Sequence, residues 1–156
     1  MSSLSELEAR QLVVQEAMTW VGTPYISNGN LKVIGVDCAM IMVMIFSNTG
    51  LIEFFDPRPY PPQWAIHQKT ERYLETILKF AGEIEGDPQP GDLVLCQFGH
   101  CWAHGALVVG WPTVIHANPP GNCRIDNYVE NYSLRKRKVR FFSYWQTTGY
   151  VLPEYA

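Results

Sequence analysis

Charge is scarce in this chain of 156 residues: only 17% of them are Asp, Glu, Lys or Arg, yet no stretch has the composition of a disordered segment. The formal net charge of -3 argues against a general nucleic-acid binder. No stretch is apolar for long enough to span a membrane. Met1 to Arg10 is polar and lacks the apolar core of a signal peptide, so the expected location on synthesis is the cytoplasm. A role outside the cell would then need another route, such as lysis or a particle. No Cys-x-x-Cys pair occurs among Cys38, Cys96, Cys101 and Cys123. Four cysteines could close two disulfides, but a chain of this size needs none, and without a signal peptide free thiols are expected. There is no internal repeat and no low-complexity segment.

What is present is 47% apolar residues, enough for the core of a single domain covering residues 1–156. Leu4, Leu7, Leu12, Val13 and Ala17 recur near helical spacing and predict a helix from about Leu4 to Trp20, ended by Gly22-Thr23-Pro24. A second, buried helix is expected from Cys38 to about Thr49, with Asp37 at its N-cap and Gly50 closing it. An insert follows at about 54–86. It opens with a proline-rich run, Asp56 to Pro62, that cannot be regular helix, and continues with a helix from about Glu71 to Phe80. From Asp92 onward strands are expected: Leu93 to Gln97, His104 to Val109, Val114 to Ala117, Val139 to Tyr144 and Tyr150 to Leu152. Helices first and sheet second predict an α+β fold with an antiparallel sheet. The basic run Arg135-Lys136-Arg137-Lys138 reads as a solvated strand edge.

One cysteine is placed for chemistry. Cys38 falls in the first turn of an apolar helix, where the partial positive charge of the helix end favours a thiolate, the nucleophilic form. A base is available downstream. His104 and His116 lie in neighbouring strand candidates joined by Gly110-Trp111-Pro112, which reads as a hairpin turn. If the turn centres on Gly110, His104 faces His116; if it centres on Trp111, Asn118 faces His104. His116 is therefore the first candidate to orient the base and Asn118 the second. His67 has no evident role, and His100 belongs to a short exposed loop. A competing use of the same region is a structural metal module built from Cys96, His100, Cys101, His104, His116 and Cys123, although their spacing is irregular for zinc.

Four short motifs in order resemble the NlpC-type cell-wall peptidases of the NlpC/P60 superfamily, a branch of the papain-like cysteine peptidases. They are Gly35-Val36-Asp37-Cys38, Pro90-Gly91-Asp92-Leu93, His104 through Gly110, and Val114-Ile115-His116-Ala117, with Gly22-Thr23-Pro24-Tyr25 upstream. The resemblance covers about Ala9 to Asn118. It implies a papain-like fold, Cys38 as nucleophile, His104 as base and His116 as orienting residue. It also implies hydrolysis of an amide bond after D-glutamate in peptidoglycan stem peptides, through a thioester and without a metal or cofactor. Tyr25 and Asp37 match the residues that hold the substrate's free amine. Tyr60-Pro61-Pro62-Gln63-Trp64 and the acidic helix after it are similar to phage and prophage tail-associated members, which implies residence in a tail particle and other tail proteins as partners. One departure stands out. The family's Cys-Ser-Gly is Cys38-Ala39-Met40 here, and Ala39 has no hydroxyl for a substrate carboxylate. A tail component that keeps the fold without activity is the alternative that this change supports.

Overall fold

The computed structural model describes residues 4–58 and 71–146. Its elements are α1 (Glu6–Met18), β1 (Asn30–Leu31), β2 (Gly35–Val36), α2 (Met40–Asn48), α3 (Arg72–Leu78), β3 (Gly82–Ile84), β4 (Leu93–Phe98), β5 (Cys101–Gly110), β6 (Thr113–His116), β7 (Arg124–Asn127) and β8 (Val139–Ser143), then a 3-10 turn at Tyr144–Gln146. β1 and β2 form a small hairpin, and the other six strands form one antiparallel sheet in the order β3-β8-β4-β5-β6-β7. This is the α+β architecture expected, with the three helices of the described residues all preceding the main sheet.

Each helix starts and stops for a local reason. Ser5 and Glu8 make a reciprocal capping box at the start of α1. α1 then buries Ala9, Val13 and Ala17, spaced four apart, against the core. α2 is buried on nearly every side, from Met40 through Phe46, so its sequence shows an apolar run rather than a stripe. Each large side chain sealed there contributes about 1.5–3 kcal/mol of transfer free energy. Gly50, at φ +80, supplies the left-handed turn that ends it.

The sheet has two covered faces. Leu93, Leu95, Leu107 and Ile115 pack toward α1, α2 and α3. Val94, Cys96, Ala106, Val108 and Val114 face the other way and are covered by Tyr128 and Leu134 from the segment after β7. The basic run lies in that segment, in the turn before β8 rather than along a strand edge. Leu134 anchors the turn in the core, and Arg137 lies over the Phe98 ring at 3.5 Å. Two short strands, β3 and β7, appear where no strand pattern is visible in the sequence. Tyr60 to Trp64, His67 and the expected strand Tyr150 to Leu152 lie outside the described residues.

The Pro-Gly-Asp motif proves to be a clamp between the first helix and the sheet. Asp92, 1% exposed, takes Arg10 Nη1 at 2.8 Å and Gln89 N at 2.8 Å. Arg10 also donates to the Pro90 carbonyl at 2.9 Å and stacks on Trp145 at 4.2 Å. Removing one partner of a buried pair leaves the other charge uncompensated. Arg10 keeps its ion pair with the exposed Glu6 at 3.0 Å, so Asp92→Ala should cost about 3 kcal/mol, the low end for a broken buried pair, read from chemical denaturation. A loss within the scatter of surface substitutions would show that the clamp is idle.

Candidate active site

Cys38 precedes the regular part of α2, yet its turn is already helical. Ile41 N–H donates to Asp37 O at 3.1 Å. The Asp37 side chain caps the turn: Oδ1 accepts from Ala39 N at 3.1 Å and Met40 N at 2.8 Å, and Oδ2 accepts from Asn28 N at 2.6 Å. The capping role expected of Asp37 is thus in place, three residues ahead of the first regular helical residue. Ala39 is buried in the core cluster. Tyr25 lies against the Cys38 sulfur; burial pushes its phenol pKa up, with Cys38 and Asp37 adding to the effect.

β5 carries His104, the candidate base, and a bulge shapes its approach. Cys96 pairs with His104 but Gln97 pairs with Trp102, so Ala103 is an extra residue in β5. The Cys38 thiol rests on the Ala103 carbonyl oxygen at 4.0 Å. Alternation along β5 sends Gly105 and Leu107 toward α2 and His104, with Ala106 and Val108, to the other face. Cys38 and His104 both approach β5 at the bulge, and no hydrogen bond joins their side chains among the described residues.

His104 and His116 do come together. Leu107 pairs with Ile115, which makes Trp111 the centre of the turn and places Asn118, not His116, opposite His104 by register. The contact is nevertheless to His116, reached diagonally on the same face: His104 Nε2 lies 3.0 Å from His116 Nδ1. Asn118 contributes its backbone carbonyl to Arg124 instead. The chain of contacts continues to a residue that no sequence signal singled out. His116 Nε2 lies 3.0 Å from Asp126 Oδ2 on β7, and Asn131 Nδ2 donates to the same oxygen at 2.7 Å. β7 reads Arg-Ile-Asp-Asn and has too few apolar residues to show a strand period. The one available signal is the Pro119-Pro120-Gly121-Asn122 turn, which returns the chain beside β6.

These contacts fix the protons. Burial raises the Asp126 carboxyl pKa, but hydrogen bonds from Asn131 and His116 outweigh it and hold the group below the ordinary carboxylate range. A carboxylate only accepts, so His116 carries its proton on Nε2. His116 Nδ1 is then an acceptor and His104 Nε2 the donor to it. His104 Nδ1 is left as an unprotonated basic nitrogen with no hydrogen-bond partner among the described residues. Burial, the neighbouring His116, Arg124 and Arg137 all push the His104 pKa well below its usual value, so the ring is neutral at neutral pH. The thiol is neutral too. Burial and the Asp37 carboxylate push the Cys38 pKa well up, against the favourable N–H groups of Cys38 and Ala39. The thiolate expected from the helix end is thus not the resting form.

The residues of the metal alternative are dispersed: His100 is exposed in the turn before β5, Cys96 packs in the second core cluster and Cys123 in the first. Among the described residues no group of three or more His, Cys, Asp or Glu side chains converges on a metal position. No helix among them is long and apolar enough to cross a membrane.

The model of the NlpC/P60 family matches residues 22–141. The chain belongs to the NlpC/P60 family. No curated protein matches it significantly. Solved NlpC/P60 structures are similar throughout the fold at low identity. The NlpC/p60 domain of the peptidoglycan hydrolase SagA has a TM-score of 0.59 at 18% identity, with 84% of this chain and 96% of that one covered. The P60 domain of an antigen from M. avium subspecies paratuberculosis has 0.60 at 16%, covering 88% and 96%. RipD from Mycobacterium tuberculosis, described as a non-catalytic NlpC/p60 domain protein adapted to peptidoglycan binding, has 0.54 at 12%, covering 85% and 95%. Two longer structures are covered to only 42% and 48% of their length. NlpC/P60 domains thus include both hydrolases and a binding form.

The neutral histidines make stability depend on pH. Burial lowers the pKa of both, with the Asp126 hydrogen bond opposing it at His116, while unfolded imidazoles titrate near about 6.5. As pH falls through that value the unfolded state binds more protons than the folded one, so stability drops. Asp126 and Glu83, with lowered pKa values, lose their contributions only at lower pH. The urea midpoint should therefore be lower at about pH 5 than at about pH 7. Equal midpoints would show that neither imidazole is held neutral.

Proposed function

We propose that this NlpC/P60 domain is a cysteine endopeptidase that hydrolyses an amide bond of peptidoglycan stem peptides, the bond after D-glutamate. The observation that carries the reading is the directed line Asp126–His116–His104, which leaves a basic nitrogen on the strand where the Cys38 thiol rests. The thiol leaves the Ala103 carbonyl and gives its proton to His104 Nδ1. The thiolate attacks the scissile carbonyl, with the Cys38 N–H at the helix start helping to hold the oxyanion. The C–N bond breaks, the amine takes the proton from His104, and water cleaves the thioester to restore the thiol. Tyr25 and Asp37 are the proposed holders of the free amine of the substrate, on the family resemblance. Other phage-tail proteins are proposed partners on the resemblance of the insert.

Binding of peptidoglycan without cleavage is the second reading. The buried neutral thiol, its lack of a direct hydrogen bond to His104, and Ala39 in place of serine favour it. Mass spectrometry of muropeptides separates the two. Wild type should release fragments newly ended at D-glutamate, Cys38→Ala should release none, and His104→Ala should lose about 10²–10⁴-fold in rate, the range of a general base. Retention of both wild type and Cys38→Ala on intact walls, with no new fragment from either, would replace the hydrolase by the binding form.

The amine contact has its own test. Asn caps a helix about as well as Asp, whereas losing the charge weakens a bond to an ammonium group. Asp37→Asn keeps an acceptor for Ala39 N and Met40 N but loses the one for Asn28 N, so it should lower the melting temperature by a few degrees and, assayed where the variant is folded, raise KM for a stem peptide with a free amine. Equal cleavage of free and N-acetylated peptides by the wild type would reduce Asp37 to a cap.

A further inference from the structure

Tyr73 sits where two parts of the site meet. It is the second residue of α3, 2% exposed, and its hydroxyl donates to the Cys38 carbonyl oxygen at 2.8 Å. In a regular α-helix that carbonyl would accept from the N–H of Met42. The bonds on either side follow the helical pattern, Ile41 N to Asp37 O and Val43 N to Ala39 O. The one between them is not formed among the described residues, and the phenol occupies its acceptor. The first turn of the helix is therefore opened at the peptide unit of the nucleophile itself.

Room for the phenol is made from the other side. A Cβ at residue 105 would collide with the Tyr73 hydroxyl and lie 3.0 Å from two ring carbons. Gly105 has no positive φ, so it is the space that requires glycine there and not the backbone. Gly105 is also the neighbour of His104 and lies just past the bulge. Two residues before Tyr73, the carboxylate of Glu71 accepts from Trp102 N–H at 3.0 and 3.2 Å, on the other side of the bulge. Two residues, Tyr73 of α3 and Glu71 just before it, thus hold the Cys38 carbonyl and both flanks of the bulge.

We propose that Tyr73 is a positioning residue for the nucleophile: its hydroxyl fixes the Cys38–Ala39 peptide, and its ring, seated on Gly105, sets the gap between that peptide and β5. This rests on the reading of Cys38 as nucleophile. The peptide it holds carries the Ala39 N–H, which donates to Asp37 Oδ1 at 3.1 Å and also lowers the Cys38 pKa. Without the phenol, Met42 N–H reclaims the Cys38 carbonyl, the peptide turns, and the sulfur loses that donor.

Tyr73→Phe removes only the oxygen. Alkylation of Cys38 by iodoacetamide, followed by peptide mass mapping near neutral pH, should slow about five- to tenfold, the factor of one neutral hydrogen bond. On a stem peptide kcat should fall by a similar factor with KM unchanged, and the melting temperature should move by only a few degrees. Gly105→Ala, which expels the ring, should slow alkylation of the folded protein at least as much. Unchanged or faster alkylation of folded Tyr73→Phe would overturn the proposal, as would a lower melting temperature with no change in rate, since both leave Tyr73 as packing alone. If the wild type digests no wall and alkylation still slows in Tyr73→Phe, the hydrolase reading fails and the positioning role stands. If the wild type digests walls and Tyr73→Phe matches it in both assays, the positioning role fails alone.

Discussion

An ionised carboxylate can accept hydrogen bonds but cannot give one, and in this protein that asymmetry passes through three strands. Asp126 on β7 takes the proton side of His116 on β6, which in turn takes the proton side of His104 on β5. Each step is a contact between neighbouring antiparallel strands, so the direction of the line depends on sheet register more than on any single side chain. Asn131 holds the far end by donating to the same Asp126 oxygen. The result is a neutral imidazole with a free Nδ1, kept neutral by burial and by Arg124 and Arg137 nearby.

Cys38, the proposed nucleophile, is held by a different set of constraints. Asp37 ties the first turn of α2 to the loop at Asn28, and the bulge at Ala103 offers the thiol a carbonyl that regular pairing would have used. Burial outweighs the local N–H groups at the thiol and also holds the imidazole neutral, so both groups rest uncharged. Catalysis from such a pair needs proton transfer at the moment of attack rather than a standing thiolate. The same arrangement would serve a domain that only binds its ligand, which is why RipD is an informative relative.

The parts of the fold that are legible in the sequence are those with a strong apolar pattern. α1 shows helical spacing, and α2 shows a nine-residue apolar run after a capping acid. β4, β5 and β6 are apolar and bounded by glycine or proline. Cys38, His104 and His116 follow from those elements and from the family motifs. The register does not: the turn centres on Trp111, and His116 is reached diagonally where direct pairing selects Asn118. Asp126 is hidden because β7 is short, polar and at the sheet edge. Tyr73 is hidden for another reason. Its role depends on a gap at Gly105, thirty-two positions away, and a missing side chain leaves no periodic trace.

The central claim is the direction of the proton line, and nitrogen NMR of the imidazoles reads it directly. In protein labelled with nitrogen-15, at about pH 7, both His104 and His116 should appear as neutral rings protonated at Nε2, with Nδ1 bare in each. Replacing Asp126 by Asn should disturb that pattern at His116 and, through it, at His104. A His104 ring protonated at Nδ1, or charged at that pH, would contradict the account, because no basic nitrogen would then be free to receive the Cys38 proton.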